Sequence, residues 1–230
     1  MGKLILCSHK LALVPYYIEN MALNIYSLEE LCCYLKQNVR LVEPSFMDDG
    51  LILWIEKEAG LTGLAGQLRE KKEARCGLSE FVAHLASGCD YLSGEEVQTI
   101  QDELAGLEMK SRTEQRKIRA DHLLEKKRYG ASILEYRKLL DEPEVTGMFA
   151  GDIWHNLGTA YAGLFFFEEA AACYKTAFAK NKNMLSRKQY ETALLMAKEG
   201  AFQKEPEDGI VKFPEGILEQ WKEDYLRECR

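Results

Sequence analysis

Residues 154–178 read WHNLGTAYAGLFFFEEAAACYKTAF. Trp154, Leu157, Gly158 and Tyr161 recur at three- and four-residue steps, the spacing of one face of an α-helix. A second helical phase begins at Phe167 and carries Ala170, Tyr174 and Ala177. Two helices joined by so short a turn pack antiparallel. Small side chains at Gly158 and Ala170 let the backbones approach, and the Tyr174 ring fills the space beside them.

The pattern occurs twice. YGASILEYRKLL, from Tyr129, precedes FEEAAACYKTAF, from Phe167, by 38 residues. At this offset Tyr129 falls on Phe167, Ser132 on Ala170, Tyr136 on Tyr174 and Leu139 on Ala177. Upstream, Ala120 falls on Gly158 and Leu123 on Tyr161. Two hairpins built on one plan are therefore expected.

These positions resemble the tetratricopeptide repeat. Trp154, Leu157, Gly158 and Tyr161 are similar to its first-helix signature, and Ala170, Tyr174 and Ala177 to its second. The unit over about 113–146 is a degraded copy that keeps Ala120, Leu123, Ser132, Tyr136 and Leu139 but has Arg116 where the large aromatic belongs. The offset exceeds the usual 34-residue period, so an insertion around Asp141–Gly147 is expected. The resemblance covers 113–181, or as far as 200 when the weaker segment after Asn183 is counted. There Leu185, Tyr190, Leu194 and Leu195 are expected to pack on the preceding hairpin. Residues 1–110 match no family pattern.

The resemblance implies an adaptor that holds a peptide or a partner protein in a groove lined by first helices. Carried over by phase, the groove would contain Lys117, Asp121, Leu124 and Glu125 in the first unit. In the second it would contain Asp152, His155, Asn156, Thr159 and Ala162. Some such domains clamp a C-terminal carboxylate. Asp121 would repel one here, so a different peptide or protein surface is expected.

Working outward, further helices follow from caps and periodicity. SLEE, with Ser27 as cap and Glu30 returning the bond, opens a helix to residue 36. Asp48 or Asp49 caps 50–58, and Gly60 ends that helix. Segment 61–72 follows, and Ser79 is expected to cap a helix that stops near Gly88. The capping box SGEE at Ser93 opens 94–107. In the second half, segments 111–127 and 130–140, 151–163 and 167–180, and 186–199 with about 214–228 form successive pairs. Residues 3–7 (KLILC) are a short strand or an apolar arm, and 15–26 has no assignable pattern. The fold class is all-α: a short α-solenoid of antiparallel helix pairs after a helical N-terminal region. The expected divisions are 1–110, 111–200 and a C-terminal capping helix in 201–230.

Composition narrows the function. With 47% hydrophobic and 29% charged residues the chain is neither a disordered acidic tail nor fibrous. The net charge of −7 is uneven: residues 110–128 carry 8 basic and 3 acidic side chains. That run, KSRTEQRKIRADHLLEKKR, opens with Lys110, Arg112, Arg116, Lys117 and Arg119 and closes with Lys126, Lys127 and Arg128. It raises the alternative of an RNA-associated helical protein, although no interleaved aromatics accompany it. His9 and Lys10 break the N-terminal apolar run, so neither a membrane span nor a secretory leader is read there, and Leu6 stands where a myristoylation motif needs Ser or Thr. Seven cysteines without a CxxC pair suit reduced thiols and a cytoplasmic setting. Cys32 and Cys33 are expected in packing. His122 reads as a structural histidine, and His9 and His84 stand apart. No metal-ligand spacing, cofactor motif or nucleophile signature is found. A third alternative is an enzyme with an unrecognised active site in the N-terminal region.

Overall fold

The structure, a computed structural model, describes residues 10–198. The strand or arm expected at 3–7 and the capping helix expected in 201–230 lie outside the described residues. The fold is predominantly helical, with one short β-hairpin among the described residues. Its strands are β1 (Tyr16–Ile18) and β2 (Leu23–Ile25). Among the described residues ten α-helices follow: α1 (Leu28–Asn38), α2 (Asp49–Lys57), α3 (Thr62–Glu73), α4 (Leu78–Ala86), α5 (Gly94–Glu108), α6 (Arg112–Glu125), α7 (Tyr129–Leu140), α8 (Gly147–Gly163), α9 (Phe167–Asn181) and α10 (Met184–Lys198). Consecutive helices joined by short turns pack as antiparallel pairs, giving a helical-repeat-like architecture. Among the described residues no helix is long and apolar enough to cross a membrane. The chain divides into two compact units at Val145 and Thr146.

In the first unit the hairpin pairs Tyr16 with Ile25, Tyr17 with Asn24 and Ile18 with Leu23. Ile18 and Ile25 turn inward while Tyr17 is exposed, the alternation a half-buried strand requires. Three-residue strands give periodicity too little length to be read, which is why 15–26 showed no pattern. The core beneath is mostly aliphatic with the Phe81 ring among it: Leu28, Leu31 and Leu35 of α1, Leu51, Ile52 and Ile55 of α2, and Phe81 and Leu85 of α4 are wholly buried.

Caps set the helix starts. Ser27, Asp48, Ser93 and Ser111 each accept a backbone N–H from the first turn, and Ser93 and Ser111 form full capping boxes with Glu96 and Glu114. Two expected caps differ. The Glu30 carboxylate accepts from the Tyr26 N–H at 2.7 Å, one residue before Ser27. Ser79 does not cap α4, which begins at Leu78 after Gly77. Instead Glu108, at the end of α5, accepts from the Leu78 N–H and the Ser79 hydroxyl, both at 2.9 Å. A carboxylate distant in sequence supplies the cap.

The hairpins α6–α7 and α8–α9 share their internal geometry. Their turns carry Lys127 at φ 58° and Phe165 at φ 64°. Arg128 N–H donates to Leu123 C=O at 2.8 Å, and Phe166 N–H to Tyr161 C=O at 3.0 Å, again 38 residues apart. In α6–α7 the Ser132 hydroxyl donates to Ala120 C=O at 3.1 Å and the Tyr136 hydroxyl to Asp121 at 2.5 Å. In α8–α9 a Cβ on Gly158 would meet the Tyr174 ring at 3.0 Å and Ala170 C=O at 3.2 Å, and the Tyr174 hydroxyl donates to Thr159 at 3.1 Å. Each tyrosine thus bonds the residue after the small one.

In α10, buried Ser186 and Ala193 mark the seam, whereas Leu185 and Leu195 are about half exposed. Of the four residues expected to pack on the preceding hairpin, Tyr190 and Leu194 are partly buried and line a groove with Ala171 and Ala172 of α9, while Leu185 and Leu195 stand largely outside the seam. Small residues permit the close approach, and those last two leucines fall on other phases of the helix.

Candidate interaction site

The groove positions carried over from the repeat resemblance divide between the two units. Lys117, Asp121, Leu124 and Glu125 lie on α6 of the first unit; Asp152, His155, Asn156, Thr159 and Ala162 lie on α8 of the second. Their polar atoms are largely engaged within their own unit. Lys117 donates to Asp121 at 2.6 Å, so that carboxylate serves both Lys117 and Tyr136. Exposed Glu125 stands 3.5 Å from His122 Nδ1 and 3.9 Å from Arg40. Leu124, Asn156 and Ala162 are half-buried.

In the second unit Asp152 accepts from Asn181 at 3.0 Å, and the Thr159 hydroxyl donates to His155 C=O at 3.2 Å. His155 Nδ1 lies 2.9 Å from the hydroxyl of buried Ser186, with the ring tilted against Tyr174 at 5.2 Å. Burial holds the His155 imidazole below the ordinary histidine range, against the opposing pull of Asp152, and pushes the Tyr174 hydroxyl up.

The adjacent face of α6 opens onto a cleft of about 590 Å³ that lies within the first unit. Arg112, Gln115, Arg116, Arg119 and Leu123 form its α6 wall. Ala131, Leu134, Glu135 and Lys138 of α7 form the second wall. Asn20, Leu41, Glu43 and Pro44 close the third side. Arg116 pairs with Glu142 and lies 3.7 Å from Glu135; Arg119 pairs with Glu43 at 2.6 Å; Lys138 pairs with Glu135 at 2.8 Å. Among the described residues Arg112 makes no ion pair and is exposed. Leu134, 59% exposed, offers apolar surface beside these charges.

The expected groove did not include this cleft, although the 38-residue offset contains its signal. At that offset Arg112, Gln115, Arg116 and Arg119 fall on Ala150, Ile153, Trp154 and Leu157. Ala150, Ile153 and Leu157 are buried in α8. The face that packs in the second hairpin is cationic in the first, and an unfilled space remains beside it. In the sequence only Arg116, opposite Trp154, breaks the repeat signature.

The remainder of the basic run is divided. Arg128 donates to Met21 C=O at 2.8 Å, and Lys126 and Lys127 stand exposed at the end of α6, where the helix dipole favours cations. His122 is buried; its Nε2 lies 3.4 Å from Asn38 Oδ1, while Nδ1 has no hydrogen-bond partner. At 3.5 Å, Glu125 is an electrostatic neighbour of that nitrogen. Among the described residues no three His, Cys, Asp or Glu side chains converge as a metal site. Compared with protein-family models, curated proteins and solved structures, the chain matches none.

Proposed function

We propose that the protein is a noncatalytic interaction module, an adaptor or scaffold whose tetratricopeptide-like hairpins hold a peptide or a partner protein. One observation carries this reading: the Ala120–Ser132 and Gly158–Ala170 approaches, each completed by a tyrosine hydroxyl on the following residue, recur at the same offset. Locked hairpins of this kind present fixed side chains, so little conformational entropy is lost when a partner binds. Affinity would come from a desolvated apolar centre, and selectivity from charges at its rim.

The basic run supports this reading over RNA association. Arg116, Lys117 and Arg119 each pair with one of the chain's own carboxylates, which lowers the net charge that would displace counterions along a phosphate backbone while leaving guanidinium N–H donors for single carboxylates. The test is affinity capture with the intact protein from nuclease-treated extract, followed by rebinding of each captured protein in purified form. A partner that rebinds saturably is expected. The reading fails if nothing rebinds, or if capture depends on RNA and is lost when Lys126 and Lys127 are reversed in charge.

A further inference from the structure

We propose that the cleft between α6 and α7 binds an extended acidic peptide in which carboxylates alternate with large apolar side chains. This rests on the interaction-module reading and names the chemistry of the partner. The cleft presents Arg112, Arg116, Arg119 and Lys138 against Glu43, Glu135 and the Glu142 that pairs with Arg116, a net excess of one positive charge, supplied by Arg112. Beside those charges lies apolar surface, with Leu134 more than half exposed. The volume of about 590 Å³ suits a few side chains, not a folded domain.

Spacing favours an extended ligand. Arg112 and Arg116 are four residues apart on α6, about 6 Å along its axis. Side chains two residues apart on one edge of an extended peptide are about 6.6 Å apart, so alternate carboxylates meet successive arginines. The intervening side chains face the other way, toward the leucine-bearing wall of α7. Arg116 and Arg119 are held in position by Glu142 and Glu43. A guanidinium has five N–H donors, so each retains donors for a ligand while its side chain is already ordered. Exposed Arg112 supplies an uncommitted charge. Glu43 and Glu135 in the walls oppose a phosphate chain that is charged at every unit, whereas an alternating peptide carries a carboxylate only at every second residue.

The contrast with the second hairpin separates this site from ordinary packing. Equivalent positions there bury Ala150, Ile153 and Leu157. A hairpin that needed only stability would keep such residues, because arginine at a packing face exchanges apolar burial for charges that must be paired.

The test offers the full chain a synthetic array of short peptides in which acidic, basic, apolar and polar residues alternate in every combination, with an oligouridylate as a separate probe. Binders are then titrated by fluorescence anisotropy at rising salt. Alternating acidic–apolar peptides are expected to bind saturably and more weakly as salt rises. Arg112→Glu and Leu134→Ser are each expected to weaken binding about tenfold or more. Both residues are exposed, so their melting curves should match the parent. Four results overturn the proposal: no saturable peptide, equal binding of basic or neutral peptides, acidic-peptide binding indifferent to both variants, or oligouridylate binding more tightly with the same sensitivity. A partner retained by Arg112→Glu in the capture experiment would remove the cleft proposal and leave the adaptor reading standing. Absence of any saturable partner for the parent would remove the adaptor reading itself.

Discussion

At Gly158 the helices of the second hairpin crowd even a Cβ, which would stand 3.0 Å from the Tyr174 ring and 3.2 Å from the Ala170 carbonyl oxygen, inside ordinary contact. Gly158→Leu is therefore expected to lower the unfolding free energy by about 1–3 kcal/mol through overpacking. Gly151 is tighter still: a Cβ there would lie 2.7 Å from Asn181 Cβ and 3.0 Å from the Asn181 backbone nitrogen. Gly151→Ala should destabilise despite its better helix propensity. Gly66 and Gly106 are helical glycines with nothing within 4 Å, so Ala at either should stabilise by about 0.5–1 kcal/mol. Denaturant titrations of the four variants check the ordering, and equal effects of Ala at Gly151 and Gly66 would refute the close approach. The cysteines give a second contrast. Cys32 and Cys89 are buried with sulfurs 3.4 Å apart, and their mutual hydrogen bond followed by burial pushes the Cys32 thiol well above the ordinary range. Because a reagent must reach the sulfur, Cys33, only partly buried, should label well ahead of the buried Cys32, Cys89 and Cys173 in native protein. Peptide mass spectrometry after a short alkylation pulse reads that order, and simultaneous labelling would contradict the burial.

Helix ends show which interactions local sequence can reveal. Ser93 and Glu96 are three residues apart and satisfy each other's backbone groups, so SGEE alone places the start of α5. The start of α4 could not be read in this way. Its cap is Glu108, thirty residues away from Leu78, and no local pattern reports a contact made by tertiary packing. The candidate site divides similarly. Gly158, Ala170 and Tyr174 were legible because packing imposes small and aromatic residues at fixed helical spacing. The cleft was not, because an arginine row looks the same in sequence whether it faces solvent or an enclosed space, and Glu43 and Pro44 come from a distant segment. Two substitutions test the capping account. Ser93→Ala should destabilise by about 1 kcal/mol, as loss of a local cap does. Glu108→Ala should destabilise similarly, whereas Ser79→Ala should cost less because the Leu78 N–H keeps its acceptor. Chemical denaturation of all three reads the difference, and a Ser79→Ala loss larger than that of Glu108→Ala would restore Ser79 as the principal cap.

At the scale of the whole molecule, three histidines among the described residues couple stability to pH. His84, His122 and His155 are all held below the ordinary histidine range, with burial the largest cause in each. Lys71 adds to the effect at His84 while Glu80 opposes it. At His122, Lys126 and Arg40 reinforce the shift and Glu125 opposes it. Asp152 opposes it at His155. A histidine whose native pKa is depressed binds its proton first in the unfolded chain, so acidification favours unfolding. The contribution is complete above the unfolded value, about 6.5. It is lost as pH falls from there through the depressed native values. Carboxylates act lower: Glu96, held at about 2 first by Lys36 and then by the Ser93 N–H, is lowered from an ordinary value of 4.5, so its contribution is lost only as pH falls past that range. Between pH about 7.5 and about 5.5 the histidines should therefore dominate the slope. Denaturant midpoints are expected to fall across this interval in the parent, and replacement of all three by glutamine should flatten the fall. A parent curve that is level across the interval, or a triple variant as steep as the parent, would show that these imidazoles take up protons as readily in the folded chain as in the unfolded one.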